Sequence, residues 1–324
     1  MAAQQGSSLV VYAALIGNLL IAITKFVAAA FTGSSAMLSE GVHSLVDTGN
    51  ELLLLYGMRR AARPPDLTHP LGHGRELYFW SFVVAVLIFA IGAGVSAYEG
   101  VMHILTPEEM DNPIANYIVL GLSGIFEGVS WTIALREFNR EKGPLGYLEA
   151  IKKSKNPTTY TVLVEDSVAL TGLLIAFIGI LAAQLFHDPR LDGAASIAIG
   201  LLLGAVAIFL ARESKNLLIG EPALPEVRDA ILRIASADKA IRRVNSVITT
   251  QMGPDQVIAA LSAEFADHLS ADDIEACVER IEAAIREETP EVTTLFVKPQ
   301  SHGVWKDKVD EIRGNSETSG ASPS

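Results

Sequence analysis

SSAMLSEGVHSLVDTGNELL, residues 34–53, is the stretch that decides the fold, because it places acids and a histidine inside an apolar run at about 35–58. Five further apolar runs lie at about 8–31, 79–104, 115–135, 160–186 and 192–211. Each run has roughly the 20 residues that a helix needs to cross a bilayer. The mean hydropathy of +0.34 is also high for a soluble chain. We therefore predict six transmembrane helices.

The composition excludes several classes of function. The single cysteine, Cys277, rules out a disulfide framework and a thiolate metal site. A net charge of −12 argues against nucleic acid as a partner. The sequence contains no G-x-S-x-G, P-loop or H-E-x-x-H motif, so we do not expect an enzyme.

The distribution of Lys and Arg predicts which side of the membrane each loop occupies. The three connections after the first, third and fifth spans contain Arg190 as their only basic residue. The loops after the second and fourth spans are strongly basic, with Arg59, Arg60, Arg63, Arg75, Arg136, Arg140, Lys142, Lys152, Lys153 and Lys155. We therefore expect a multi-pass protein with both termini in the cytoplasm, and a bacterial inner membrane as its host.

From Glu221 onward the chain resembles a small soluble module, with 19 acidic and 11 basic residues. The pattern predicts a helix at Pro225–Ala237, a helix from Ser270 to about Glu288 with a capping box to Asp273, and strands at 244–250, 257–265 and 292–298. This α-β-β-α-β order predicts an open sheet with two helices on one face. We expect domains at 1–220 and 221–300, and a disordered tail at 301–324, where the composition turns polar from Gly303.

Ionisable residues within the spans are the best functional candidates, because each costs at least roughly 2.5–3.5 kcal/mol at mid-bilayer. Those of the second span share one helical stripe. The candidates are Glu40, His43 and Asp47 in the second span, Glu127 in the fourth, and Glu165 and Asp166 in the fifth. Any one of them can be structural, as in a histidine–aspartate hydrogen bond within a helix. Placing the whole set inside a membrane would cost too much free energy without a cation, so we predict that these residues surround a bound cation. Lys25 of the first span is either an internal counter-charge or a residue that snorkels or pairs locally.

With these residues in view, the chain resembles the cation diffusion facilitator family of divalent-metal/proton antiporters. The resemblance covers roughly residues 8–300 and rests on HSLVD at 43–47, HPLGHGR at 69–75 and the six-span layout followed by α-β-β-α-β. It implies six transmembrane helices, a cytoplasmic ferredoxin-like domain and a homodimer. It also implies a transport site made by two residues, four apart, on each of the second and fifth helices; His43 and Asp47 match the second-helix pair.

The fifth span departs from this pattern, because Glu165 and Asp166 are its only acids. The departure is similar to the zinc transporter nine type of the family, which has a histidine-free fifth helix and a glutamate in the fourth. Successive helix positions are about 100° apart. We therefore expect Asp166 to face the His43–Asp47 pair and Glu165 to turn toward a neighbouring helix or the cytoplasmic water path. Glu127 would be a further ligand or the carrier of the exchanged proton.

Two other family features bear on metal binding. Some members have an additional loop site, and Asp66, His69 and His73 fit its spacing; the alternative is a turn with solvated side chains. Many members hold zinc between histidine-rich cytoplasmic domains. Here that domain contains only His268 and His302, so we expect this site to be absent.

The implied activity is efflux of a divalent cation in exchange for protons, because metal and protons compete for the same imidazole and carboxylate atoms. Nitrogen and oxygen ligands without sulfur suit Zn²⁺ best, with Mn²⁺, Co²⁺, Ni²⁺, Fe²⁺ and Cd²⁺ as candidates. We expect no permanent cofactor. Two alternatives remain open: a proton-coupled transporter of an organic substrate, which predicts an apolar pocket, and a non-transporting scaffold or sensor, which predicts that Asp47 is dispensable.

Overall fold

The computed structural model describes residues 2–32, 35–107 and 113–318 of the chain. These form two compact units, Met1–Ile219 and Gly220–Ser324. The division falls where the apolar part of the sequence gives way to the acidic part, so each unit has its own core.

The first unit is entirely helical within its described residues, apart from the connecting loops. Its elements are α1 (Ala2–Thr32), α2 (Ser35–Ala61), α3 (Arg75–Leu87), a π-helical segment (Ile88–Ala93), α4 (Gly94–Leu105), α5 (Pro113–Glu141), α6 (Tyr147–Lys153), α7 (Pro157–Phe186) and α8 (Arg190–Ile219). The segment from Arg75 to Leu105 is one continuous helix, because α3, the π-helical segment and α4 follow each other without a break. The long helices therefore correspond to the six predicted spans.

Five helices in the described part of the chain are long and apolar enough to cross a membrane, judged by length and composition. They are Ser7–Ala28, Arg75–Leu105, Asn116–Glu141, Pro157–Phe186 and Arg190–Ile219. The remaining long helix, α2, has 27 residues and packs between α1 and α3. It is less apolar than the other five because it contains the stripe of ionisable residues identified in the sequence.

Close contacts between glycines hold α4 against α8. A Cβ atom on Gly100 would lie 2.6 Å from the carbonyl oxygen of Gly193, and one on Gly200 would lie 2.9 Å from the backbone nitrogen of Ala97. Small residues of this kind let helix backbones approach closely in a membrane. The other long helices pack as α1 with α2 and α5, and α5 with α7. This second arrangement brings the polar faces of α2, α5 and α7 together.

The second unit has the predicted α-β-β-α-β order, in the elements α9 (Pro225–Ala237), β1 (Ile241–Gly253), β2 (Gln256–Phe265), α10 (Ala271–Glu288) and β3 (Val292–Pro299). The strand order is β1-β2-β3, with β1 antiparallel and β3 parallel to β2. Ser270 and Asp273 form the predicted capping box. Alternate residues of β2 share one core with Ile231 of α9 and Ile281 of α10, so both helices cover the same face of the sheet.

The tail differs from the sequence prediction. Residues from Gly303 were expected to be disordered, but His302–Thr318 form the helix α11. Trp305 Nε1 donates to Ser246 Oγ at 3.2 Å, and the His302 ring lies 3.1 Å from Asn245 Oδ1. The polar composition of the tail could not reveal these contacts, because they depend on side chains of β1. Residues 319–324 of the predicted tail lie outside the described residues.

Candidate metal sites

The stripe on α2 continues further than the sequence analysis recognised. Asp47 lies on α2, and Glu51 follows one turn later with a relative exposure of 2%. Glu40 and His43 also belong to α2, but their side chains lie outside the described residues. Glu51 was not predicted as a site residue, although its spacing of four from Asp47 was a usable signal.

Five acids on three helices interact inside the first unit: Asp47 and Glu51 on α2, Glu127 on α5, and Glu165 and Asp166 on α7. Glu51 and Asp166 are buried and the other three are partly buried; we call the five the buried acid cluster. The Glu51 carboxyl is close enough to Glu165, Asp166, Asp47 and Glu127 to experience the charge of each. Like charges repel, and the repulsion is stronger in a protein interior than in water because the dielectric constant is lower. Such a cluster therefore favours the entry of a cation or of protons.

Hydrogen bonds satisfy this cluster only in part. Ser130 Oγ donates to Asp166 Oδ2 at 2.7 Å. The Oε2 atoms of Glu51 and Glu165 and the Oδ1 atom of Asn50 are buried and have no hydrogen-bond partner within the described residues. Buried polar atoms are normally paired, so these oxygens are free to accept a hydrogen bond or to contact a cation.

The two adjacent acids of α7 have different surroundings. The largest charge acting on Glu165 is that of Asp47 on α2, whereas Asp166 accepts a hydrogen bond from Ser130 on α5. Glu165 is therefore also close enough to Asp47 to experience its charge. That Asp166 acts as a ligand remains a prediction.

Lys25 lies inside the helix bundle rather than at its surface. Its relative exposure is 8%, and its Nζ donates to Ser44 Oγ on α2 at 3.0 Å. Its positive charge also acts on Glu127. The structure therefore favours the internal position over snorkelling to the interface.

The loop between α2 and α3 gathers Asp66, His69 and His73, whose potential ligand atoms lie within 4.8 Å of one another. Asp66 Oδ2 is 3.0 Å from His73 Nε2, and Asp66 Oδ1 is 3.6 Å from His69 Nδ1. Ligands of a tetrahedral Zn²⁺ with bonds of about 2.0–2.1 Å are roughly 3.4 Å apart, so a small closure would suffice. In the part of the chain that the structure describes, these three residues are the ones whose potential ligand atoms come this close together; the acids of the cluster do not form such a group.

The loop is held in place by its own hydrogen bonds. Asp66 Oδ1 accepts from the Thr68 hydroxyl at 2.6 Å and from the backbone N–H groups of Thr68 and His69 at 2.8 and 2.7 Å. The Thr68 hydroxyl, the His69 N–H and the His73 ring together hold the pKa of Asp66 well below its usual value. The carboxylate is therefore ionised and preorganised, as a metal ligand must be.

The architecture defines a class: a multi-pass integral membrane protein whose helices enclose acids and whose second unit is a small α+β domain. The chain matches the cation efflux transmembrane domain over residues 11–219, and it belongs to that family. The resemblance inferred from HSLVD and the loop motif is thereby confirmed at the level of the family.

Several relatives have recognisable similarity. The chain is 34% identical over 264 residues to the mitochondrial proton-coupled zinc antiporter SLC30A9 of Xenopus laevis, covering 81% of this chain and 47% of the relative. It is 31% identical to a metal tolerance protein of Arabidopsis thaliana, covering 77% and 55%. It is 26% identical to the cation-efflux pump FieF of Cronobacter sakazakii, covering 86% and 87%. The chain thus spans about half the length of the first two relatives, and all three are named as transport or metal-tolerance proteins, not enzymes.

Proposed function

We propose that the protein exports a divalent transition-metal cation in exchange for protons, with Zn²⁺ as the favoured cation and Mn²⁺, Co²⁺, Ni²⁺, Fe²⁺ and Cd²⁺ as the other candidates. The observation that supports this most directly is the buried acid cluster, in which oxygens of Glu51 and Glu165 have no hydrogen-bond partner among the described residues. The relatives named as a zinc antiporter and a cation-efflux pump support the same function.

The proposed mechanism uses the same side chains for the metal and for the protons. His43 and Asp47 on α2 and Asp166 or Glu165 on α7 bind the cation when imidazole is neutral and the carboxylates are ionised. The buried acids are spaced more widely than the ligands of one bound ion, so binding would draw α2, α5 and α7 closer together. Protons arriving from the opposite side then displace the metal, and Glu127 is a further ligand or carries one of them.

The proposed assembly is a homodimer in the lipid bilayer, associated partly through residues 221–300 and without metal in that domain. The proposed orientation places both termini in the cytoplasm, as the Lys and Arg distribution predicts. The expectation of a bacterial inner membrane has no support in the vertebrate relatives, which are named as mitochondrial. If a chelator dissociates the purified dimer, or if metal is found between the two cytoplasmic domains, the metal-free interface is wrong.

The deciding experiment measures metal-dependent proton flux in proteoliposomes. Purified full-length protein is reconstituted with a pH-sensitive dye inside, and each of the six candidate metals is added outside in turn. We expect proton movement that depends on Zn²⁺ and is lost in Asp47→Asn, with Glu149→Gln as control because Glu149 is exposed and pairs only with Lys153 among the contacts described, at 2.9 Å. Absence of flux with every metal, from protein of native size and melting behaviour, would contradict the proposal.

A further inference from the structure

Glu51 is the buried residue that the expected transport site does not use. Its relative exposure of 2% places it among the most buried large side chains of the chain. It lies in α2, one turn beyond Asp47 toward the helix end that carries Arg59 and Arg60. A glutamate in such a position requires a compensating partner or a function.

The surroundings of Glu51 point toward a cation. Its Oε2 atom is buried and accepts no hydrogen bond from any residue that the structure describes. The largest charges acting on it are those of Glu165, Asp166, Asp47 and Glu127, in that order. All four are acids, so the side chain faces the cluster and experiences repulsion until a cation enters.

On α7, Asp166 has no second ligand one helical turn away, and Glu51 of α2 can take the place of that missing ligand. The position four residues before Asp166 is Val162, which is fully buried, and the position four residues after it is Leu170. Neither side chain has an atom that can bind a metal. The two acids of α7, Glu165 and Asp166, are consecutive residues and are not one helical turn apart. On α2, by contrast, Asp47 and Glu51 are separated by four residues and share one face.

We propose that Glu51 binds the transported cation, together with Asp47 of α2 and the acids Glu165 and Asp166 of α7. This inference rests on the proposed function and deepens it. His43 and Glu51 are eight residues apart, or about 12 Å along a helix axis, so Glu51 defines a cation position of its own. Asp47 lies between the two levels and is shared by them, so a cation passes from one level to the next along α2.

The chemistry of this position is that of oxygen ligands alone. Carboxylates bind hard divalent ions such as Mn²⁺ well and also bind Zn²⁺. The position therefore accepts a divalent cation without requiring a histidine. Mn²⁺ and Zn²⁺ are the probes that follow from this ligand set.

The test compares wild type, Glu51→Gln and Glu51→Asp, with Glu149→Gln as the control, in purified full-length protein. Binding of Zn²⁺ and Mn²⁺ is followed by calorimetry and by the metal-induced rise in melting temperature, and transport is followed by flux. Loss of even an outer partner of a metal site weakens binding by about 10–100-fold. We expect Glu51→Gln to lose at least about tenfold in affinity or one bound ion per chain, Glu51→Asp to lose less, and Glu149→Gln to match wild type.

Melting in chelator separates a ligand from a structural residue. Glutamine keeps the size and a polar oxygen of Glu51 but cannot become a charged ligand, so Glu51→Gln should melt at or above the wild-type temperature without metal while gaining less from metal. A lower melting temperature in chelator with an unchanged response to metal would overturn the proposal, as would wild-type binding and flux. If Glu51→Gln does not fold, Glu51→Ala takes its place, and wild-type metal binding by that variant likewise overturns the proposal. If wild type itself neither binds nor moves any metal, the proposed function fails first.

Discussion

The buried acid cluster and the Asp66–His69–His73 loop both collect side chains that bind metals, yet they differ in how their polar atoms are satisfied. In the loop, Asp66 Oδ1 already accepts three hydrogen bonds within one turn. In the cluster, oxygens of Glu51 and Glu165 accept none from the residues that the structure describes. The loop carboxylate is thus satisfied by neighbouring protein groups, whereas the cluster leaves one oxygen each of Glu51 and Glu165 without a partner among the described residues.

The difference in solvent exposure has the same consequence. Asp66 and His69 side chains are about half exposed, at 51% and 54%, whereas Glu51 and Asp166 are buried. Water compensates an exposed carboxylate, but a buried one depends on neighbouring groups. A change in the cluster should therefore affect function far more than a change in the loop.

The largest effect is expected from the α2 pair. Asp47→Ala and His43→Ala should each abolish metal-dependent flux while the protein stays folded, because each removes one of about four ligands. Flux in proteoliposomes is the measurement, and size-exclusion chromatography with thermal melting shows that the fold is intact. Wild-type flux in Asp47→Ala would show that the cluster does not take part in transport and would contradict the proposed difference between the cluster and the loop.

A graded effect is expected within the cluster itself. Asp166→Asn should lose metal binding, whereas Glu127→Gln should retain part of it and flatten the pH dependence of transport, because a proton carrier affects proton coupling more than affinity. Calorimetry at several pH values, paired with flux, distinguishes the two variants. Equal loss of binding in both variants would indicate that Glu127 binds the metal as directly as Asp166 does.

The loop variants should have a smaller effect. His73→Ala or Asp66→Asn should remove any metal bound at the loop but reduce flux by less than about tenfold, the lower range of effects for a residue outside the primary ligand set. The pKa of Asp66 lies below its usual value, so its contribution to stability is present above about pH 4 and is lost as the pH falls through the lower folded value. Metal content of the variants, measured at neutral pH, is the test; flux as low as in Asp47→Ala would rank the loop equal to the cluster.

The smallest effect is expected at Cys277 of the second unit, whose thiol serves as a probe of whether the fold is intact. Burial, followed by the neighbouring Asp238, raises the pKa of Cys277 to about 11. The stabilising contribution is therefore present below about pH 8.5, the value for an unfolded thiol, and is lost as the pH rises toward 11. We expect alkylation at pH 8 to be roughly two orders of magnitude slower than in the unfolded chain, and unchanged in variants of either metal site. Fast alkylation in a site variant would show that the substitution had disturbed the fold.

Local patterns in the sequence were sufficient for much of this architecture. Apolar runs near 20 residues predicted the long helices, since crossing a bilayer imposes length and apolarity on each segment separately. The alternation of β2 and the Ser270–Asp273 capping box likewise depend on residues a few positions apart, so the α-β-β-α-β module could be recognised. The loop residues Asp66, His69 and His73 lie within eight positions, and their proximity followed from the turn.

Contacts between distant segments were decided by the tertiary structure. What surrounds Glu165 depends on how α7 packs against α5 and α8, which a helix angle alone does not determine. The helix α11 forms where Trp305 and His302 contact β1, although its composition is that of a solvated tail. The sequence places Glu51 four residues after Asp47 on the same helix face, but its burial and the surrounding acids depend on how the helices pack. Sequence spacing determines which residues share a face of one helix, whereas packing determines what that face meets.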